Sequence, residues 1–263
     1  MTALGDSLTR GWGAGGSAGD FVSASWSTGT DTTVASHFQR LAPLQPGLAA
    51  SNVAVSGSKM AATSTQADAA VSAGATYVTL LSGTNDVCTS SVALMTSVSD
   101  FTAQVRTTLT KLAAISGTKI LVASIPNWHA LWSDHNTNPT AVSGWAMRNV
   151  CPTIFGGDTT DEDRAAARQR ITDFNTVLAT VCAEFAPCTY DGGATHALRF
   201  APTDLAFDFF HLSVAGQARL AEATWNVGPF TQPPVNQSPP TVSGTAQVGQ
   251  SLSTSTGTWS GSP

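Results

Sequence analysis

Long apolar runs are missing from this 263-residue sequence, and so is a basic surface. No stretch of 18 apolar residues occurs, which excludes a transmembrane helix. Only 11% of residues are charged, the formal net charge is −5, and lysine occurs three times, at Lys59, Lys111 and Lys119. A protein that grips phosphate backbones carries a cluster or stripe of Lys and Arg, so a nucleic-acid partner is excluded. Thr, Ser, Ala and Gly fill the surface positions that Lys and Glu usually take inside cells. Cysteine is sparse as well: Cys88, Cys151, Cys182 and Cys188 are the only four. None stands at CxxC or other metal-type spacing, so no zinc, and no other metal or cofactor, is expected. Four cysteines allow three pairings. Pro187 turns the chain within the six-residue step from Cys182 to Cys188, which favours a local bridge there and leaves Cys88 to pair with Cys151. Two disulfides fit an oxidising compartment and a secreted address. No signal peptide precedes Met1-Thr2-Ala3-Leu4, as expected of a mature or shortened chain.

What is present is a 42% apolar fraction, a globular value, and enough length for one α/β domain of ordinary size. Val53-Ala54-Val55, Tyr77-Val78-Thr79-Leu80-Leu81 and Ile120-Leu121-Val122-Ala123 are short apolar runs that suit parallel strands buried on both faces. Between the last two, Leu94, Val98, Phe101, Val105, Leu109 and Leu112 recur in steps of three and four, which predicts one helix over 92–114. A second helix is predicted to start near Asp161, with Ile171, Phe174, Leu178, Val181 and Phe185 as its stripe, and a third over 213–226. The acidic start of the second helix, with Asp158, Asp161, Glu162 and Asp163 close together, suits the positive end of a helix dipole better than a calcium site. Strands alternating with helices indicate an α/β fold with a mostly parallel sheet. The stretch 126–160, with Trp128, Trp132 and Trp145, lacks clear periodicity and reads as a long functional loop.

Three short motifs fall at the ends of these strands or before the last helix: Gly5-Asp6-Ser7-Leu8, Gly83-Thr84-Asn85-Asp86 and Asp208-Phe209-Phe210-His211. In open α/β sheets the site lies outside the carboxyl ends of the strands, which gathers Ser7, Gly57 and Asn85 at one edge. A serine hydroxyl needs a neighbouring base before it attacks. Of the five histidines, His211 is the best base, because Asp208 precedes it by one helical step and can hold the ring's tautomer. The Asn85 side chain, with the backbone N–H groups of Ser7 and Gly57, supplies donors for a developing oxyanion. Gly57 also reads as a close-approach position without a Cβ. Gly15-Gly16-Ser17-Ala18-Gly19 matches a G-x-S-x-G elbow, but a glycine-rich loop and not a strand leads into it, so it is set aside.

Ser7, Gly57, Asn85 and His211, in that order, resemble the GDSL, or SGNH, hydrolase family over roughly residues 1–228. The resemblance implies a flavodoxin-like three-layer α/β/α sandwich. It makes Ser7 the nucleophile and an oxyanion donor, Gly57 and Asn85 the other donors, and Asp208 and His211 the rest of a catalytic triad. The first strand, barely four residues, departs from the family pattern and bears on the seat of Ser7. Gly83-Thr84-Asn85-Asp86-Val87-Cys88 is similar to the third motif of phospholipase-B-like members, which points to acyl-lipid or lysophospholipid esters. An acetylated polysaccharide is the alternative substrate, and a non-catalytic surface-binding module with exposed tryptophans is the alternative class. A monomer is expected.

From 229 to 240 a Pro-rich stretch marks an extended linker. Residues 241–263 alternate through Val242, Val248, Leu252 and Trp259. They resemble the start of a bacterial immunoglobulin-like repeat, an incomplete β tail that cannot bury a core alone and leaves Trp259 partly exposed.

Overall fold

A computed structural model describes residues 1–230 and 235–260. The first strand, β1 (Thr2–Gly5), is four residues long and fully buried. It pairs in parallel with β2 (Ser51–Asn52) on one side and β3 (Tyr77–Leu81) on the other. Two further parallel strands, β4 (Lys119–Val122) and β5 (Cys188–Tyr190), complete the sheet in the order β2-β1-β3-β4-β5. That order is flavodoxin-like, and it reverses direction between β1 and β3. The run Val53–Val55 is not itself a strand. β2 lies just before it, and the ladder continues through the Val53 N–H to the Ala3 carbonyl (2.9 Å) and the Val55 N–H to the Gly5 carbonyl (3.1 Å).

The first three helices are α1 (His37–Leu41), α2 (Thr63–Ser72) and the single turn α3 (Thr84–Val87). The predicted 92–114 helix is shorter: α4 (Val98–Ala113) begins at its N-cap Ser97, whose hydroxyl accepts from the Asp100 N–H. Leu94 therefore falls outside the stripe and is exposed, whereas Phe101, Val105, Leu109 and Leu112 are buried. The stretch 126–160 is not a structureless loop. It folds into α5 (Trp128–His135), α6 (Pro139–Arg148) and α7 (Pro152–Phe155). Asn127 and Asn138 cap the first two with their side chains, and Pro139 occupies the first turn of α6. α8 (Asp161–Cys182) starts where the sequence places it, with Thr160 as N-cap and three acids in its first turn, though Phe185 lies past its end. The single turn α9 (Ala194–Ala197) and α10 (Val214–Trp225) follow.

Helices flank the sheet. On one side α2, α4 and α8 pack against one another, and the Phe101 and Phe174 rings stack at 3.8 Å. On the other, His37 of α1 bonds through its ring nitrogens to the Tyr77 hydroxyl (2.7 Å) and to Thr224 of α10 (2.9 Å). Burial holds that ring neutral, its pKa lowered to about 3. Trp128 and Trp145 are buried in the core, so the exposed tryptophans expected of a surface-binding module are not found at these two positions.

Disulfides join Cys88 to Cys151 and Cys182 to Cys188. After α10, Phe230 still packs on the domain, its ring 4.8 Å from Tyr77 and 6.0 Å from Trp225. Beyond it β6 (Val235–Ser238) pairs with β9 (Thr258–Ser260), and β7 (Val242–Gly244) pairs with β8 (Leu252–Thr254), both antiparallel. Val242, Val248 and Leu252 are all exposed, so these residues build no core. The Trp259 side chain and residues 261–263 lie outside what is described.

Candidate active site

The chain leaves β1 through Gly5, whose φ of +142° and close approach to β3 admit no side chain. A Cβ there would lie 2.1 Å from the Leu81 carbonyl oxygen. The buried side chain of Gln66, on α2, clamps Gly5 from both sides. Its Oε1 accepts the Gly5 N–H (2.8 Å) and its Nε2 donates to the Gly5 carbonyl (3.0 Å). Gln217, on α10, anchors the chain one residue beyond Ser7, donating to the Leu8 carbonyl at 2.9 Å while accepting the Trp26 N–H. Between these clamps stands Ser7, 8% exposed.

The partner of Ser7 arrives from 204 residues away. Leu205 and Leu212 form an antiparallel bridge, and between them the Ala206 N–H donates to the His211 carbonyl at 2.7 Å. Asp208 and His211 are thus not one helical step apart. They sit in a tight turn in which Asp208 Oδ1 accepts the N–H groups of Phe210 (3.1 Å) and His211 (3.0 Å). Phe209 takes a φ of +54°, a conformation unfavourable for a bulky side chain, and its carbonyl is held by the Trp145 indole N–H at 3.0 Å. The turn leaves Asp208 Oδ2 free to accept from His211 Nδ1 at 2.6 Å. With Nδ1 protonated, Nε2 accepts the Ser7 hydroxyl at 2.8 Å. Burial works to raise the Asp208 pKa. The hydrogen bond and charge of His211, with the two backbone N–H groups, outweigh it and hold the carboxyl below its ordinary value.

Asn85, in the first turn of α3, follows β3, and Gly57 follows β2. One hydrogen of the Asn85 amide donates to the Ser58 carbonyl at 3.0 Å, which fixes the side chain and leaves the second hydrogen uncommitted. Among the described residues neither the Ser7 nor the Gly57 N–H has a protein acceptor. Gly57 is not a close-approach position within the protein: a Cβ there meets nothing within 4 Å, and its φ of +80° is what calls for glycine. The three strand ends therefore converge at the reversal between β1 and β3, the expected binding edge of such a sheet.

Beside this group lies a cavity of about 330 Å³ whose walls include Trp12, Asn85, Ser90, Arg148, Asp208 and His211. The Trp12 ring packs 4.4 Å from the His211 imidazole, a contact no motif foretold. A second cavity, about 350 Å³, opens near Met1, Leu48 and Ala75 but has no Asp, Glu, His, Lys, Arg or Cys in its lining. Behind Ser7, Asp6 is wholly buried. Its Oδ1 accepts the Leu8 N–H at 3.0 Å and its Oδ2 has no partner. Burial, with the nearby Asp86 charge, pushes its pKa up to about 7.

The model of the GDSL-like lipase/acylhydrolase family matches residues 3–219. The chain belongs to that family. No curated protein sequence matches it. Among solved structures, TesA is 18% identical with a TM-score of 0.55, over 86% of this chain and 96% of that chain. LAE5, described as an alpha/beta hydrolase enzyme from the metagenome of Lake Arreo, Spain, is 17% identical with a TM-score of 0.53, over 86% and 93%. At these identities the likeness is one of fold. Gln66, Gln217, Trp12 and Arg148 escaped the sequence reading. For the two glutamines a signal existed, since each is an amide on the buried face of a helix, where an apolar residue is the rule.

Proposed function

We propose that this acylhydrolase-family protein cleaves carboxylic esters through an acyl-enzyme on Ser7. The observation that carries this reading is the continuous chain Ser7 Oγ, His211 Nε2, His211 Nδ1, Asp208 Oδ2, with steps of 2.8 and 2.6 Å. Ser7 Oγ attacks the ester carbonyl while His211 Nε2 takes its proton. Asp208 holds the ring's orientation and stabilises the imidazolium without taking the proton itself. The negative charge gathering on the carbonyl oxygen meets the N–H groups of Ser7 and Gly57 and the uncommitted Asn85 hydrogen, one such donor being worth about 2.7–4 kcal/mol. His211 then gives its proton to the departing alkoxide, and a water activated by the same ring releases the acid. No step calls for a metal or cofactor.

The substrates we assign are acyl-lipid esters, lysophospholipids among them. The motif Gly83–Cys88 and the apolar cavity surfaces of Phe210, Val150 and Pro152 support this. Two disulfides support a secreted setting, and the hydrolase domain runs to about residue 228, ahead of a linker and an incomplete β module. Labelling by a fluorophosphonate tests the nucleophile, and 4-nitrophenyl esters from C2 to C16, run beside acetylated xylan, test the substrate class. Ser7→Ala and His211→Ala are expected to lose about 10⁶ in kcat, and Asp208→Asn about 10⁴. A Ser7→Ala protein keeping a tenth of wild-type kcat/KM removes Ser7 from the mechanism.

A further inference from the structure

Arg148 ends α6 and stands in the wall of the same cavity as Asn85, Asp208 and His211. Its guanidinium lies over the Phe207 ring at 4.9 Å. A cation–π contact of this kind holds the group against the ring and leaves its N–H donors unoccupied. Those donors have no acceptor among the described residues. Arg148 and Asn149 are both exposed, no acid among the described residues lies within ion-pair distance of the guanidinium, and none of the α6 carbonyls receives a hydrogen bond from it, so its donors are open to solvent and to a ligand. Asp208, the only acid in the cavity wall, cannot serve as counter-ion. Its side chain is 2% exposed, with one oxygen on His211 and the other on two backbone N–H groups. Next to Arg148, Asn149 takes a left-handed backbone (φ 50°) and also lines the cavity, its side-chain amide bonded to no described residue. The Cys88–Cys151 bridge ties this wall to the loop that follows Asn85.

We propose that Arg148, with Asn149, forms an oxyanion subsite that selects esters carrying a phosphate or carboxylate close to the scissile bond. A planar guanidinium with free, parallel donors matches two oxygens of either group. Arg148, Asn149 and His211 line one open cavity of about 330 Å³, so an anion held by the first two shares that cavity with the imidazole. A neutral glyceride or an acetylated sugar offers the guanidinium no charge to pair with. The subsite rests on the hydrolytic reading of Ser7 and His211, and it narrows that reading to anionic substrates.

The test compares wild type, Arg148→Gln and Arg148→Lys on two matched pairs: 1-decanoylglycerol 3-phosphate against 1-decanoylglycerol, and 4-nitrophenyl hemisuccinate against 4-nitrophenyl butyrate. The readout is the ratio of kcat/KM for the anionic member to that for the neutral member. Wild type is expected to favour the anionic ester of at least one pair. Arg148→Gln is expected to lower that ratio tenfold or more, chiefly through KM, and Arg148→Lys to recover part of it. A fall in the phosphate pair alone identifies a phosphate-bearing substrate, and a fall in the hemisuccinate pair alone a carboxylate-bearing one. A ratio that Arg148→Gln leaves within twofold overturns the subsite. Calorimetric binding of 1-decanoylglycerol 3-phosphate to Ser7→Ala, with and without Arg148→Gln, needs no turnover. Weaker binding by the double variant upholds the subsite even if the protein proves not to be a hydrolase, whereas equal affinities together with an unmoved hemisuccinate ratio refute it.

Discussion

Asp6 is the group whose ionisation should tell most about the frame around Ser7. Its carboxyl is wholly buried, with one oxygen on the Leu8 N–H and the other without a partner, and burial with the Asp86 charge raises its pKa from 3.8 to about 7. The unfolded chain gives up this proton near pH 4, whereas the folded chain keeps it to about pH 7. Between those limits the folded state binds more protons, so stability falls as pH rises and levels off above about pH 7. A gap of about three pKa units corresponds to roughly 4 kcal/mol at full development. Asn at position 6 keeps an oxygen for the Leu8 N–H and never ionises, but buries an NH₂ where Asp6 Oδ2 lacks a partner, which costs about 1–3 kcal/mol at every pH. Urea unfolding of wild type and Asp6→Asn at pH 4.5, 6, 7 and 8 should therefore give curves that converge or cross. The variant should be the less stable at pH 4.5 and gain on wild type by roughly 3–4 kcal/mol by pH 8. His37, whose lowered pKa makes stability fall with acid, and Asp208 are present in both proteins and largely cancel in the difference. Two parallel curves over this range would show that Asp6 is already ionised in the folded protein, and the reasoning from its buried oxygen would fail.

The two disulfides should differ in weight. The 63-residue closure of Cys88–Cys151 corresponds to about 4 kcal/mol and the 6-residue closure of Cys182–Cys188 to about 2 kcal/mol, so Cys88→Ala/Cys151→Ala should depress Tm more than Cys182→Ala/Cys188→Ala. Equal melts, or a melt unmoved by reductant, would contradict this. A chain ending at Phe230 should keep kcat/KM on a soluble short-chain ester within about twofold, because the described tail residues build no core of their own. Ending it at Pro229 should lower Tm further by removing the Phe230 ring from Tyr77 and Trp225, and equal melting of the two truncations would mean that this packing contributes nothing.

Much of the site was legible because its chemistry needs particular residue types at strand ends. Ser7, Gly57 and Asn85 follow β1, β2 and β3, and strand ends can be found from short apolar runs. The spacing of Asp208 and His211 was legible too, but not its cause: a tight turn closed by the Leu205–Leu212 bridge does what a helical step was expected to do. The helices of 126–160 went unseen because their apolar residues are few and their lengths short. Their starts were nevertheless written in Asn127 and in Asn138-Pro139, since a capping amide before a proline is a helix N-terminus. Extending the α4 stripe to Leu94 trusted periodicity over Ser97, the N-cap that stops the helix there.

The brevity of β1 put the seat of Ser7 in question, and the tertiary contacts answer it. A four-residue strand suffices here because both its neighbours are parallel partners and its exit is fixed from outside the sheet. Gln66 pins Gly5 from α2, Gln217 pins Leu8 from α10, and Ser7 stands between them. The two clamps come from opposite sides of the sheet, so the serine is referred to both helical layers and not to the strand alone. His211 stands only three residues before α10, which begins at Val214. Gln217 therefore ties the turn that holds Ser7 to the same helix that follows His211. Positioning of the Ser7–His211 pair thus becomes a property of how α10 packs, which no local motif encodes and which residues 204 apart in sequence can share only through the folded core.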